Sequence, residues 1–419
     1  MIYAVLVSIA ISVLLLCWIF YRRNIELFLC LLIAINFEFF HLLPRIKGPD
    51  DYKLLLLPIV LILLAESLLS RKLALGRYGW WVVAFLGISI MGVVVANFSG
   101  QSLSLGIKAV KFVPLILVYF VLQGRAINTQ KFVNYFVIMA LTIAGIATVQ
   151  YFLHDKIIIF TALPKDLLFG IQGPIRITVG QFVIAAATVV AAARYFQSSN
   201  LLFLIAAAGL FLEIVFIQKT RGFIAGVFLS IFTVYILSHK ITLLRISFYL
   251  IFAGLFMGSW LMISDVKIDR IAIIDSTRLD IEKQRGSFQG RINAYMYYWK
   301  EIQKKPLTGR GLFNFNWEGN SEKKIQQIGI HLSDIGITHF IVQAGLIGLI
   351  WLIYGLFRMW LDIIYNSEAI IVSSYFVVAT FTMPTLDMFL RVDTLFLFAV
   401  FLGLTSYMYP VSKSLEVKA

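Results

Sequence analysis

Charge is scarce in this chain. Of 419 residues only 14% are Asp, Glu, Lys or Arg, against about 25% in a soluble globular protein. Cysteine is nearly absent. The two that exist, Cys17 and Cys30, both fall inside apolar runs, so no disulfide framework is implied. No H-E-x-x-H and no cysteine cluster offers a metal site. No Walker loop and no G-x-G-x-x-G offers a nucleotide site, which argues against a nucleotide-driven pump. The strict alternation of barrel strands is missing too.

What fills the chain is apolar sequence: 60% hydrophobic residues and a mean hydropathy of +0.89. It comes in long runs, as needed to cross a hydrocarbon core about 30 Å thick. In lipid a helix satisfies its backbone within one segment. The expected fold is therefore an all-α polytopic membrane protein with about 12–13 transmembrane helices. The runs are 1–20, 25–43, 52–69, 79–96, 106–122, 132–153, 177–195, 201–218, 222–237, 243–263, 335–357, 369–385 and 392–409. The first run lacks a basic leader and an A-x-A-like site, and reads as a retained span.

The net charge of +14 would suggest nucleic acid on a soluble protein. Here the bases sit in short connections, so orientation and anionic lipid are the better explanations. Arg22-Arg23, Arg71-Lys72, Arg125, Arg194, Lys240, Arg358 and Lys413 fall in alternate connections. The positive-inside rule makes these cytoplasmic, with the N-terminus out and the C-terminus in. Three regions follow: an N-terminal bundle (1–263), a large extracytoplasmic loop (264–334) and C-terminal spans (335–419).

The loop is too long for a simple connection. Within it Ile292, Tyr295, Met296, Trp299 and Ile302 recur at helical spacing, with Lys300, Lys304 and Lys305 off that stripe. Pro306 should stop the helix, and Gly309 and Gly311 flank Arg310 in a turn. Such a helix suits a membrane surface or the top of the bundle equally well.

Arg176 and Arg221 each open an apolar run on the outer side. Boundary cations of this kind either snorkel or face a cavity and a ligand. Arginine's fork suits a diphosphate. His331, at the end of the loop, is placed to take a proton from a hydroxyl at neutral pH. Asp334 is its rival, or else a helix cap. His339 lies about a turn inside the next helix. Midplane charge is sparse, with Glu38 and Glu213 the candidates.

Three stretches, in order, resemble the O-antigen ligase/polymerase superfamily, which includes Wzy-type polysaccharide polymerases. Lys219-Thr220-Arg221-Gly222 resembles its S/T-R-G. Gly290-Arg291-Ile292 through Trp299, then Pro306-Leu307-Thr308-Gly309-Arg310-Gly311, is similar to its loop segment ending P-L-x-G-x-G. Ser333-Asp334-Ile335-Gly336 with Gly345-Leu346-Ile347-Gly348-Leu349 resembles the entry into the next span.

The resemblance implies a metal-independent membrane glycosyltransferase without cofactor, in the inner membrane. Its substrate would be an undecaprenyl-diphosphate-linked oligosaccharide. A chain-length regulator and a flippase are candidate partners beside membrane lipids; nucleic acid is not expected. Arg221 matches the family's phosphate-contacting arginine, and Arg176 lies where a second is expected. Arg291 and Arg310 are further candidate substrate contacts. His331 would be the base, but the family position holds Asp334 here. A polysaccharide polymerase is the first expectation. A ligase acting on lipid A core, or a lipid-linked glycan transporter, are the alternatives.

Overall fold

The computed structural model describes residues 19–43, 53–70, 74–154, 156–160, 176–239, 287–314, 317, 335–366, 369–384 and 389–408. Among these the chain is helical and carries no strand. The helices are numbered here in chain order: α1 Ile25–Asn36, α2 Leu56–Leu69, α3 Gly79–Phe98, α4 Leu103–Val110, α5 Val118–Gln123, α6 Thr129–Phe152, α7 Gln181–Ser198, α8 Leu201–Glu213, α9 Arg221–Ser238, α10 Ser287–Lys304, α11 Ile337–Tyr365, α12 Ile370–Thr382 and α13 Val392–Tyr407. Six stretches among the described residues are long and apolar enough to cross a membrane: α3, α4 through α5, α6, α8 with its last turn, α9 and α11. The chain is an all-α, multi-pass membrane protein. The expected spans 1–20 (all but its last two residues) and 243–263 lie outside the described residues.

Two helices form the centre. Every residue of α7 from Phe182 to Ala193 is buried, as is every residue of α13 from Thr394 to Ser406. A helix that is apolar all round belongs inside a bundle. In α7 the run Ala185-Ala186-Ala187 and Ala191-Ala192-Ala193 keeps its surface narrow, so backbones approach closely, as small residues allow in membranes. It packs against α6, α8, α9 and α12, while α13 packs against α5 and α12.

Local chemistry explains the departures from continuous spans. Pro114 lacks an N–H and sits in a 3₁₀ turn, Val113–Leu117, that joins α4 to α5. The expected run 25–43 stops as helix at Asn36. Glu38, Phe39, Phe40 and His41 follow with φ between 49° and 59°. That is a left-handed turn of non-glycine residues, which costs roughly 1–2 kcal/mol per residue. Glu38 thus sits at a helix end, in ion pairs, rather than inside a span.

The helices alternate in direction, so the bundle has two ends. One carries the α10 loop segment together with 37–43, 99–102, 153–154, 156–160, 176–180, 219–220, 383–384 and 389–391; it is called the loop end below. At the other, the far end, Asn24, Asn128 and Asn200 cap α1, α6 and α8 by accepting from backbone N–H groups at 3.0–3.2 Å. At the first turn of α3, that helix and α11 are clasped by two stacked tryptophans. Trp81 donates to the Trp351 carbonyl at 3.0 Å and Trp351 to that of Trp81 at 2.9 Å.

Candidate functional site

The loop end is built around a broken helix. Gly345 interrupts α11 with φ 64° and ψ −158°. An unbroken helix would bond the N–H of Leu346 to the carbonyl of Val342, and that of Ile347 to Gln343. Both bonds are open, and the segment after α10 fills them. Arg310 and Gly311 donate to the carbonyls of Val342 and Gln343 at 2.8 and 3.1 Å. Leu346 and Ile347 donate to the carbonyls of Pro306 and Leu307 at 2.8 and 3.2 Å. Residues 306–314 therefore form a strap threaded into the gap. Non-helical backbone at membrane depth must be satisfied within the protein, and the strap does this with four bonds.

Glycine is required at both faces of the strap. A side chain on Gly311 would meet the Gly92 carbonyl and the Ala96 backbone of α3; one on Gly345 would meet Leu307 and Gly309. Leu312 continues by donating to Gly92 at 2.9 Å. Gln101, fully buried, accepts from the Asn314 N–H at 2.6 Å and donates to the Leu312 carbonyl at 3.2 Å. The expected turn around Arg310 is thus one limb of a larger construction.

The amphipathic helix α10 appears where its pattern predicts, and Pro306 follows its end. Its packed face differs from the expected stripe. Ala294 and Tyr298 are buried with Phe313, Ile335 and Val342, whereas Met296 and Trp299 are about 60% exposed. They line an open apolar groove of roughly 490 Å³ with Pro306, Ile341 and Leu346. Periodicity alone does not decide which side of the stripe packs; a small residue, Ala294, allows closer contact with α11 than Met296 would.

A second construction is the turn between α8 and α9. The end of α8 widens into a π-turn, Ile214–Gln218, a distortion frequent at functional sites. Gln218 donates to the buried Glu213 carboxylate at 2.6 Å. Lys219 is left-handed, with φ 53°, and Arg221 opens α9. Thr220 is the N-cap, but its hydroxyl bonds back to Gln218 at 3.3 Å and does not cap the helix. The positive end of α9 is thus not closed by its own cap side chain. Ile177 donates to the Ile217 carbonyl at 3.2 Å, which brings Arg176 beside this turn. Arg176 is exposed and Arg221 half-buried.

Lys219 reaches the Tyr151 hydroxyl at 3.0 Å and lies 4.9 Å from that ring's centre. His154 bonds the Tyr151 carbonyl at 2.9 Å. The segment that carries Arg176 and the turn that carries Lys219 and Arg221 are thus tied through their backbones at the loop end. In the sequence nothing points to Tyr151, and Lys219 stands beside Arg221 with no role of its own. Only the adjacency of Lys219 to Arg221 could have signalled it.

Arg310 is elsewhere, on the strap. Its guanidinium lies 3.8 Å from the Glu301 carboxylate and 5.4 Å from the Phe313 ring centre. Arg291 lies on α10. His331 and Asp334 lie outside the described residues. His339 is buried on the first half of α11 and hydrogen-bonds Gln343 at 2.8 Å. A third cluster joins the left-handed turn to α13: Lys53 meets Glu38 at 3.2 Å and Asp393 at 2.8 Å, and His41 meets Glu38 at 3.4 Å.

Among known proteins, residues 202–353 match the family model described as O-antigen ligase. The matched window contains the π-turn and Arg221, α9, α10, the strap and the break in α11. It excludes Arg176, α4 and α13. No curated protein matches the chain.

Proposed function

The chain carries a domain of the O-antigen ligase/polymerase superfamily, and from that premise we propose that it is a membrane glycosyltransferase of the polysaccharide-polymerase kind. It joins undecaprenyl-diphosphate-linked repeat units at the outer face of the inner membrane. One observation carries this reading most. The bond from Ile177 to Ile217 ties the backbone beside Arg176 to the turn that leads to Lys219 and Arg221 at the start of α9. Cations converging on a helix N-terminus form a natural diphosphate seat.

The donor's diphosphate sits against these groups. The acceptor's sugar hydroxyl loses its proton to His331 or Asp334, and its oxygen attacks the donor's anomeric carbon. The bond from that carbon to the phosphate oxygen breaks, and the lipid diphosphate leaves with its electron pair. The cations stabilise the growing negative charge, with no metal asked for, and such preorganised stabilisation is a large term in many enzymes. Holding two lipid-linked chains in register supplies orientation.

The family's description as a ligase favours a second reading, transfer to lipid A core, with the same chemistry and another acceptor. The broken α11 also resembles what transporters use, but here the gap is closed by the strap. The test is polymer length on gels from a null strain carrying Arg221→Ala, Lys219→Ala, His331→Ala or Asp334→Ala, each expressed at wild-type level. Short or absent polymer is expected for Arg221→Ala and Lys219→Ala, and for one of the two base variants. Full-length polymer from Arg221→Ala would sink the diphosphate assignment. Single-repeat transfer to lipid A core, without polymer, would move the reading to the ligase.

A further inference from the structure

A cavity of roughly 350 Å³ opens at the far end, where the last turns of α7 meet the first turns of α6 and α12. Its size is that of small-molecule sites. Arg194 and Gln197 line it from α7, Thr129 and Gln130 from α6, and Ile371 and Val372 from α12. The alanine-rich body of α7 gives way to Arg194 just before its last turn, Tyr195–Ser198. A long cation at a span end can keep its stem in apolar surroundings and its head at the surface.

Arg194 does not reach the surface cleanly. It is half-buried, and its contacts among the described residues run to neutral groups. One guanidinium nitrogen donates to Gln130 Oε1 at 3.3 Å, and the Phe203 ring centre lies 5.9 Å away. Its Nε is buried and donates to no group of the protein among those residues, and a buried donor without an acceptor is costly. The neighbouring helix ends add charge of the same sign. First-turn N–H groups carry partial positive charge. Asn128 accepts one of those of α6, and no side chain caps α12. The negative end of α7 offsets little, because such effects fall off within the last turn and Arg194 precedes it. Arginine's fork and helix N–H groups both match phosphate oxygens. Donors arriving from three helices suit a phosphate, whose oxygens point several ways, better than a flat carboxylate.

We propose that this cavity is a phosphate-binding site at the far end of the bundle, separate from the turn at Arg221. Arg194 holds the phosphate through Nε, and Thr129, Gln130 and the first turn of α12 take its other oxygens. The inference stands independently of the proposed function, since no glycan enters it. The phosphate has two sources: the head group of an anionic lipid in the adjoining leaflet, or phosphate free in solution.

The experiment measures binding to the full chain, purified in a neutral detergent, by microscale thermophoresis. The probes are inorganic phosphate, dihexanoyl phosphatidylglycerol and, as control, dihexanoylglycerol, which lacks the phosphate. The wild type should bind at least one phosphate probe more tightly than the control. Arg194→Gln should weaken that probe about tenfold or more, the loss expected for a charge-assisted contact. Gln130→Glu should do the same by another route. It sets a carboxylate beside Arg194, occupies the anion's place from within, and should hold or raise the melting temperature, so its loss of binding is not loss of fold. If Arg194→Gln does not elute as a single peak, Gln130→Glu decides. Lys219→Gln with Arg221→Gln should leave the affinity unchanged. Loss confined to the lipid probe assigns the site to a head group; loss of inorganic phosphate assigns it to phosphate from solution. A wild type that binds neither phosphate probe above the control overturns the site, and so does unchanged affinity in either folded variant. An equal loss in the Lys219/Arg221 pair overturns its separateness.

Discussion

Arg194 aside, the far end of the bundle sets its cations against carboxylates, whereas the loop end mixes such pairs, Arg310 with Glu301 and Lys53 with Glu38 and Asp393, with cations that also touch neutral groups. At the far end cations meet carboxylates. Arg77 pairs with the buried Asp362, which also takes the Tyr78 hydroxyl. Arg125 lies 3.1 Å from Glu66, and Lys131 lies 3.7 Å from Glu26. Glu26 also accepts the Asn128 N–H at 2.8 Å. At the loop end Lys219 reaches a tyrosine hydroxyl, Lys305 bonds Ser99 at 2.8 Å and Lys111 lies over a phenylalanine ring. The same residue types therefore serve architecture at one end and can serve a polyanion at the other. Position in the fold, not residue type, separates the two uses.

The largest effect that would test this contrast belongs to the far end. Removing one partner of a buried ion pair costs about 3–5 kcal/mol. Asp362→Ala should lower thermal stability in detergent by that order, because Arg77 and Tyr78 lose their shared acceptor. Transfer activity per folded molecule should stay near wild type. An Asp362→Ala protein of unchanged melting temperature would show that the far end is not held by its pairs. The converse belongs to Arg221. Arg221→Ala should leave the melting temperature within about 1–2 °C, as surface-type changes do. It should slow transfer by about 10²–10³-fold, the cost of one lost electrostatic contact to a developing charge. A destabilised Arg221→Ala protein with normal specific activity would erase the difference between the ends.

Much of this was legible in the sequence, for physical reasons. Long apolar runs leave a backbone in lipid no option but helix, so the fold class, and helices within most of the expected spans, followed from composition. The helical spacing and Pro306 located α10. The pairing of motifs was not legible. P-L-x-G-x-G and G-L-x-G-L look like two separate glycine-rich pieces, whereas four backbone hydrogen bonds make them one unit, and backbone bonds leave no side-chain signature. The left-handed turn at Glu38–His41 was hidden for a similar reason: it is made by ordinary residues, where a glycine would have announced it. The tie between Arg176 and the turn at Arg221 also runs through main-chain atoms, at Ile177 and Ile217.

A smaller effect probes the joint between the strap and α11. Gly345→Ala places a Cβ at positive φ, a strain of roughly 1–2 kcal/mol, and pushes it against Leu307 and Gly309. Stability should fall by about 2 kcal/mol, and limited proteolysis should cut the segment after α10 sooner. Because the proposed site at Arg221 lies at the same loop end as the strap, activity should fall with it, unlike in Asp362→Ala. Gly87→Ala, on α3, adds a Cβ with nothing within 4 Å and should leave protease resistance near wild type.

The smallest effect is one of pH, and it marks the place where the loop end behaves like the far end. Lys53 joins Glu38 and Asp393 outside the spans. Burial alone would push the Glu38 carboxyl up, but the His41 hydrogen bond and the Lys53 charge outweigh it and hold it below the ordinary range. Burial alone would push the Lys53 ammonium down, and the Asp393 and Glu38 carboxylates outweigh that, holding it above its ordinary value. A lowered carboxyl adds stability above its unfolded pKa and loses it as pH falls through the folded one; a raised ammonium adds stability below its unfolded pKa and loses it as pH rises through the folded one. This cluster therefore stabilises the fold between the ordinary carboxylate and lysine ranges, about 4 to about 10. Melting temperature should decline below that lower limit, and Glu38→Gln should flatten the decline while leaving the alkaline side closer to wild type. An acid limb as steep in Glu38→Gln as in wild type would mean that the left-handed turn is held by its packing, with Phe40 against Gly180, rather than by charge.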